Sequence, residues 1–217
     1  NATNSTIGTG AATGTVVNDD AQPVLSVGAV STAEGPAGTT AFTFTVSLTN
    51  ASAQTMTVDY ATADGTATTG DNDYIAALGT LTFAPGETTK TITILVNGDT
   101  KFEPNETLNV NLTNSTNATI TDNQGVGTII DSSATPIITI NDVSVNEGGQ
   151  LIFTVTLSNI SSQPITVEFA TADGTATLLD NDYTQITGIL TFAADTTTLT
   201  QTIIVQTTAD TKFEPNE

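Results

Sequence analysis

The sequence predicts an all-β protein made of tandem, immunoglobulin-like antiparallel β-sandwiches. Three observations carry that reading. Short Thr-, Val- and Ile-rich segments alternate apolar and polar residues, and no helical period persists. Gly, Pro, Asn and Asp punctuate these segments at turn spacing. Long stretches of the 217-residue chain recur about 110 residues further on.

Strands A to G are expected in the repeat that is complete. Strand A is Val24–Gly28, followed by the Gly35-Pro36 turn. Strand B, Ala41–Leu48, places Phe42, Phe44, Val46 and Leu48 on one face. Asn50 turns the chain into C, Thr55–Ala61, and Gly65 and Gly70 precede D, Gly79–Phe83. Pro85-Gly86 separates D from E, Lys90–Val96, where Ile92, Ile94 and Val96 repeat the period of two. Asn97-Gly98 and Pro104-Asn105 bracket an acidic stretch before F, Leu108–Leu112; G is Gly125–Ile130. One apolar face per strand suits two packed sheets, with inner faces buried and outer faces in water.

The repeat is explicit. YATADGTATTGDNDY (Tyr60–Tyr74) returns as FATADGTATLLDNDY (Phe169–Tyr183), and Gly79–Val96 returns as Gly188–Val205. DTKFEPNE occurs as Asp99–Glu106 and again as Asp210–Glu217. Asn1–Pro23 resembles Asn114–Pro136. Residues 1–22 therefore read as the final strand of a preceding repeat, and residues 23–135 as a complete repeat. Residues 136–217 read as a repeat lacking its last two strands. Two accounts fit this order. One is a window cut from a longer tandem array. The other is a subunit whose residues 1–22 complete the open sandwich of another copy. The first is preferred, because neither piece of the second supplies strand F.

Charge narrows the function. Asp and Glu number 23 against three lysines (Lys90, Lys101 and Lys212), for a net charge of -20. Nucleic-acid binding needs cations that displace phosphate counterions, so it is excluded as an expectation. A polybasic membrane contact fails on the same ground, and no apolar stretch is long enough to span a bilayer. The chain has no His and no Cys, so the usual general bases and nucleophile pairs are missing and no enzyme is expected. Unbalanced carboxylates repel one another, and a divalent cation is the physical remedy. Hard carboxylate oxygens suit calcium.

Strand parity concentrates the acids. With strands alternating up and down, the A–B, C–D and E–F loops and the exit of G fall at one end. Those places carry Glu34; Asp64, Asp71 and Asp73; Asp99, Glu103 and Glu106; and Asp131. Asp71 and Asp73 sit in Gly70-Asp71-Asn72-Asp73, where Asx hydrogen bonds would also suit a plain turn. Asp64 precedes Gly65 and has the same alternative.

These residues resemble the Calx-β family over essentially the whole chain. Its pattern is an early Glu, a DGTA turn, a DY pair, G-x-L-x-F, a Gly-Glu turn and an acidic D-x-x-x-E-x-x-E loop. Here these are Glu34, Asp64–Ala67, Asp73-Tyr74, Gly79–Phe83, Gly86-Glu87 and Asp99/Glu103/Glu106. The second copy has Glu147, Asp173–Ala176, Asp182-Tyr183, Gly188–Phe192 and Asp210/Glu214/Glu217, with Ala194-Asp195 replacing the Gly-Glu turn. The resemblance implies calcium ligands at Glu34, Asp64, Asp99, Glu103 and Glu106, and at Glu147, Asp173, Asp210, Glu214 and Glu217; strand parity adds Asp131 as a candidate. Asp71, Asp73, Asp180 and Asp182 are weaker candidates. Family members that bind calcium end the last strand in a run of aspartates. This chain departs from that, with Asn18-Asp19-Asp20 in its first segment and Asp131-Ser132-Ser133 in the complete repeat. Asp19 and Asp20 are therefore weaker candidates as well.

The expectation for function is a structural or adhesive repeat of a secreted or cell-surface bacterial fibre. Calcium at the acidic pole would stiffen each junction, and the partners would be further copies of the repeat. The alternatives are the strand-exchanging filament subunit and a regulatory calcium sensor of the kind found in sodium–calcium exchangers.

Overall fold

The structure, a computed structural model, describes residues 1–212 together with Pro215 and Asn216. The first repeat contains β1 (Val24–Val27), β2 (Val30–Ala33), β3 (Gly38–Leu48), β4 (Met56–Asp64), β5 (Leu78–Phe83), β6 (Thr89–Gly98), β7 (Glu106–Thr116), β8 (Thr119–Asp122) and β9 (Gln124–Ile130). The second contains β10 (Ile138–Ile140), β11 (Gln150–Leu157), β12 (Ile165–Ala170), β13 (Thr187–Phe192) and β14 (Thr200–Gln206). No helix occurs among the described residues. Residues 1–22 are exposed and contribute to no strand.

The first repeat is a two-sheet sandwich. One sheet runs β6-β3-β1-β8, and the other runs β2-β9-β7-β4-β5. All seven strands expected from the alternation are present. The sheets are antiparallel as expected, apart from two edge pairings, β1 with β8 and β2 with β9, which run parallel. The first and last strands each split, sending one half to each sheet. They are too short for the split to show as separate apolar periods, so β2 and β8 escape a reading of the sequence.

Alternation builds the core. Phe42, Phe44, Val46 and Leu48 of β3 and Ile92, Ile94 and Val96 of β6 point inward and are buried. They meet Met56, Val58, Leu108, Val110, Leu112 and Phe83 from the opposite sheet. Burying a large apolar side chain contributes roughly 1.5–3 kcal/mol, so this cluster is what holds the repeat closed.

The second repeat has sheets β10-β11-β14 and β12-β13. The described residues contain no counterpart of β7, β8 or β9. Its core, around Val155, Leu157, Phe192, Ile203 and Val205, is smaller. Phe153, at the position of the fully buried Phe44, is only half-buried. The inner faces of its sheets line an open groove that includes Phe153, Phe169 and Tyr183.

Candidate metal centre

Two close backbone approaches shape the acidic end of the first repeat. At Gly65, in the turn after β4, a Cβ would collide with the Thr107 carbonyl at the start of β7. The turn is fixed there because the Ala67 N–H donates to that same carbonyl (2.9 Å). At Gly98, ending β6, a Cβ would collide with the Gly35 carbonyl. The DGTA turn is thereby seated beside Glu106, and the loop after β6 beside Glu34.

Glu34 directly follows β2, and its N–H donates to the Ile130 carbonyl of β9 (3.3 Å). The residue is only 5% exposed, and its Oε1 has no hydrogen-bond partner. Burial, followed by repulsion from Asp99, Asp131 and Glu103, pushes its carboxyl up to about 7, against a weaker backbone hydrogen bond from Ser132. Burying an ionised carboxylate oxygen without a partner is costly, and protonation, a further hydrogen-bond donor or a cation relieves that cost.

Glu103 joins Glu34 to a second group of acids. Oxygens of Asp73, Glu103 and Glu106 lie within 4.8 Å of one another. Burial pushes Glu106 up to about 8, helped by repulsion from Asp73 and Glu103 and by a hydrogen bond shared with Asp73. Burial also raises Glu103, although Lys101 opposes the shift. Asp131, just beyond β9, braces the arrangement: its Oδ2 accepts the Glu103 N–H (3.1 Å) and its Oδ1 the Ser133 N–H (2.9 Å). The Ser133 Oγ is a second buried oxygen without a partner. Asp99 accepts the Lys101 N–H (2.8 Å), which folds the loop back on itself.

Lys101 lies against this group. Its Nζ is 2.6 Å from Glu103 Oε1 and 3.3 Å from Asp195 Oδ1 of the second repeat. Burial disfavours its charge, but the two carboxylates outweigh that and hold the ammonium above its ordinary range.

The structure thus brings together Glu34, Asp73, Asp99, Glu103, Glu106 and Asp131. Asp64 has a different occupation: its Oδ1 accepts the Tyr74 hydroxyl (2.6 Å) and the Thr69 N–H (3.1 Å). Burial and Asp64 together push Tyr74 up to about 12, so the hydroxyl stays a donor. Asp71 accepts the Thr68 hydroxyl (3.0 Å) in the exposed turn. Asp73 serves both turn and cluster, because its Oδ2 also accepts the Thr68 N–H (2.6 Å). The signal for Asp73 is its place before Tyr74. The tyrosine is pinned inward, so the preceding side chain is directed at the pole.

The second repeat rebuilds the same turn. Asp173 accepts the Tyr183 hydroxyl (2.7 Å) and the Leu178 N–H (3.0 Å), Asp182 the Thr177 N–H (2.6 Å), and Asp180 the Thr177 hydroxyl. Glu147 is exposed, and Asp210 accepts the Lys212 N–H (2.8 Å). Glu214 and Glu217 lie outside the described residues. Asp19 and Asp20 are exposed in the segment that joins no strand.

The crystal structure of CBD12 from CALX1.2 is 23% identical over 87% of this chain and 76% of its own, with a TM-score of 0.47. The apo-form Calx CBD1 domain is 24% identical over 52% of this chain and all of its own, with a TM-score of 0.48. The calcium binding domain CBD12 of CALX1.1 is 22% identical over 83% and 74%, with a TM-score of 0.47. No curated protein matches the sequence. The family model for the Calx-beta domain matches residues 19–142 and 131–217, and the chain belongs to that family.

Proposed function

We propose that this chain is a non-catalytic calcium-binding module, with the ion held at the acidic pole of the first repeat. One observation carries the reading: Glu34 is buried among Asp99, Glu103 and Asp131 with an oxygen that no protein group satisfies. The donors are all oxygen, and the chain has no His or Cys to favour a softer metal. Glu34, Glu103, Glu106, Asp73, Asp99 and Asp131 would hold the ion, which would supply the positive charge these carboxylates lack.

The loop that would hold the ion also touches the next repeat. The Phe102 N–H donates to the Ile160 carbonyl (2.9 Å), and the Phe102 carbonyl accepts the Ser162 N–H (3.0 Å). Ion binding would therefore order the junction. That serves either a calcium-regulated sensor or a stiffened extracellular fibre of tandem repeats. The sensor reading gains from a cluster, that of Asp73, Glu103 and Glu106, whose loop also touches the next repeat. The fibre reading gains from the repeat and from an acidic, Thr- and Asn-rich composition.

Thermal unfolding with calcium and with chelator tests the proposal. Calcium at a hundredfold excess over Kd adds about 2.7 kcal/mol to the repeat that binds it. The melting transition of the first repeat should rise with calcium concentration in the wild type and stay fixed in Glu34→Gln. Identical curves with calcium and chelator would remove the calcium reading.

A further inference from the structure

We infer that Lys101 is a resident counter-cation, and that a divalent ion entering the pole must displace it from Glu103 onto Asp195 of the next repeat. The inference rests on the calcium reading above and adds how occupancy is relayed.

Three consecutive residues divide the work. Lys101 spans Glu103 (2.6 Å) and Asp195 (3.3 Å). Phe102 is clamped by its backbone to Ile160 and Ser162 and pairs in parallel with the buried Ser161. Glu103 reaches into the acidic group. Lys90, by contrast, pairs with Glu87 of its own repeat at 2.8 Å. An ammonium and a divalent ion cannot share one carboxylate without repulsion, so the two compete for Glu103. Lys101 has a second carboxylate in reach, and that carboxylate belongs to the neighbouring repeat.

Asp195 stands at an unusual position for an acid. Its φ is 56°, and the Asp195 N–H donates to the Ser161 carbonyl (2.8 Å). In the first repeat Gly86 occupies the same turn, with φ 87° and its N–H donating to the Ser52 carbonyl (2.9 Å). The sequence reading set Ala194-Asp195 against Gly86-Glu87; the turn geometry moves the register by one and sets Asp195 on Gly86. A side chain in the left-handed region costs energy that glycine avoids. The turn carries an acid at that cost, in the place where it meets Lys101. Asp195 is 62% exposed in its side chain against 21% for Lys101, so it can follow the ammonium outward.

Calcium titration calorimetry on the full chain tests this, with wild type, Lys101→Met, Asp195→Asn and the double variant at one ionic strength. Lys101→Met should bind calcium about tenfold more tightly, because the competitor is gone. Asp195→Asn should bind several-fold more weakly, because the displaced ammonium has lost its second partner. In the Lys101→Met background, Asp195→Asn should have no effect, since Asp195 acts only through the lysine. Lys101→Arg keeps the bridge and should stay near wild type, which guards against a misfolded methionine variant. Additive effects would reduce both residues to through-space charge and overturn the inference. So would an unchanged affinity in Lys101→Met, while leaving the calcium reading standing. Absence of calcium binding in every variant, wild type included, would overturn both.

Discussion

Removing the charge of Glu34 should stabilise the metal-free protein. Its carboxyl stands at about 7 and that of Glu106 at about 8, against an ordinary 4.5. A raised carboxyl favours the folded state while it is protonated. Its contribution is fully present below about 4.5 and is lost as pH rises through 7 to 8. The melting temperature of the chelated protein should therefore fall between pH 5 and pH 8, by roughly 5 °C or more. Glu34→Gln should flatten that slope and raise the value at pH 8. Differential scanning calorimetry in chelator reads both, and a flat wild-type profile contradicts the burial of these charges. Protons and calcium compete for the same oxygens, so calcium should bind more tightly at pH 8 than at pH 6.

Among the elements, the DGTA turn tolerates little change. In Gly65→Ala the new methyl meets the Thr107 carbonyl, and the first repeat should lose about 2 kcal/mol. Gly174 is the same position in the second repeat and has nothing within 4 Å, so Gly174→Ala should change stability by less than about 0.5 kcal/mol. Denaturant unfolding of the two variants checks the contrast, and equal losses would mean that the turn is not docked on β7. Tyr74→Phe removes the hydroxyl that Asp64 accepts and should cost about 1 kcal/mol. It would also free Asp64 to turn toward the pole.

The strands were legible for a plain reason. Phe42, Phe44, Val46 and Leu48 repeat at the period of the pleat, and burial follows that period. The acidic loops were legible because strand parity alone puts them at one end. What the sequence hid was side-chain direction. Asp64 and Asp73 both flank turns in acidic motifs, yet one hydrogen-bonds Tyr74 and the other turns toward Glu103 and Glu106. That choice depends on where Tyr74 packs, and its place beside Asp73 is the one local cue to it. The split of the first and last strands between two sheets was hidden likewise, because β2 and β8 span four residues each.

At the scale of the whole molecule, a net charge of -20 works against compactness. Calcium at the pole would relieve the repulsion where it is densest and would do so beside the junction held by Phe102 and Lys101. Small-angle scattering should show a narrower distribution of shapes with calcium than with chelator. Monovalent salt should reproduce part of the stabilisation by screening and little of the narrowing.

A crystal structure of the chain grown in calcium tests the central claim most directly. The account predicts anomalous density at the pole of the first repeat, with oxygens of Glu34 and Glu103 at 2.3–2.6 Å, the range for calcium. A pole without an ion, or an ion held by Asp64 and Asp71 with Glu34 left aside, would contradict it.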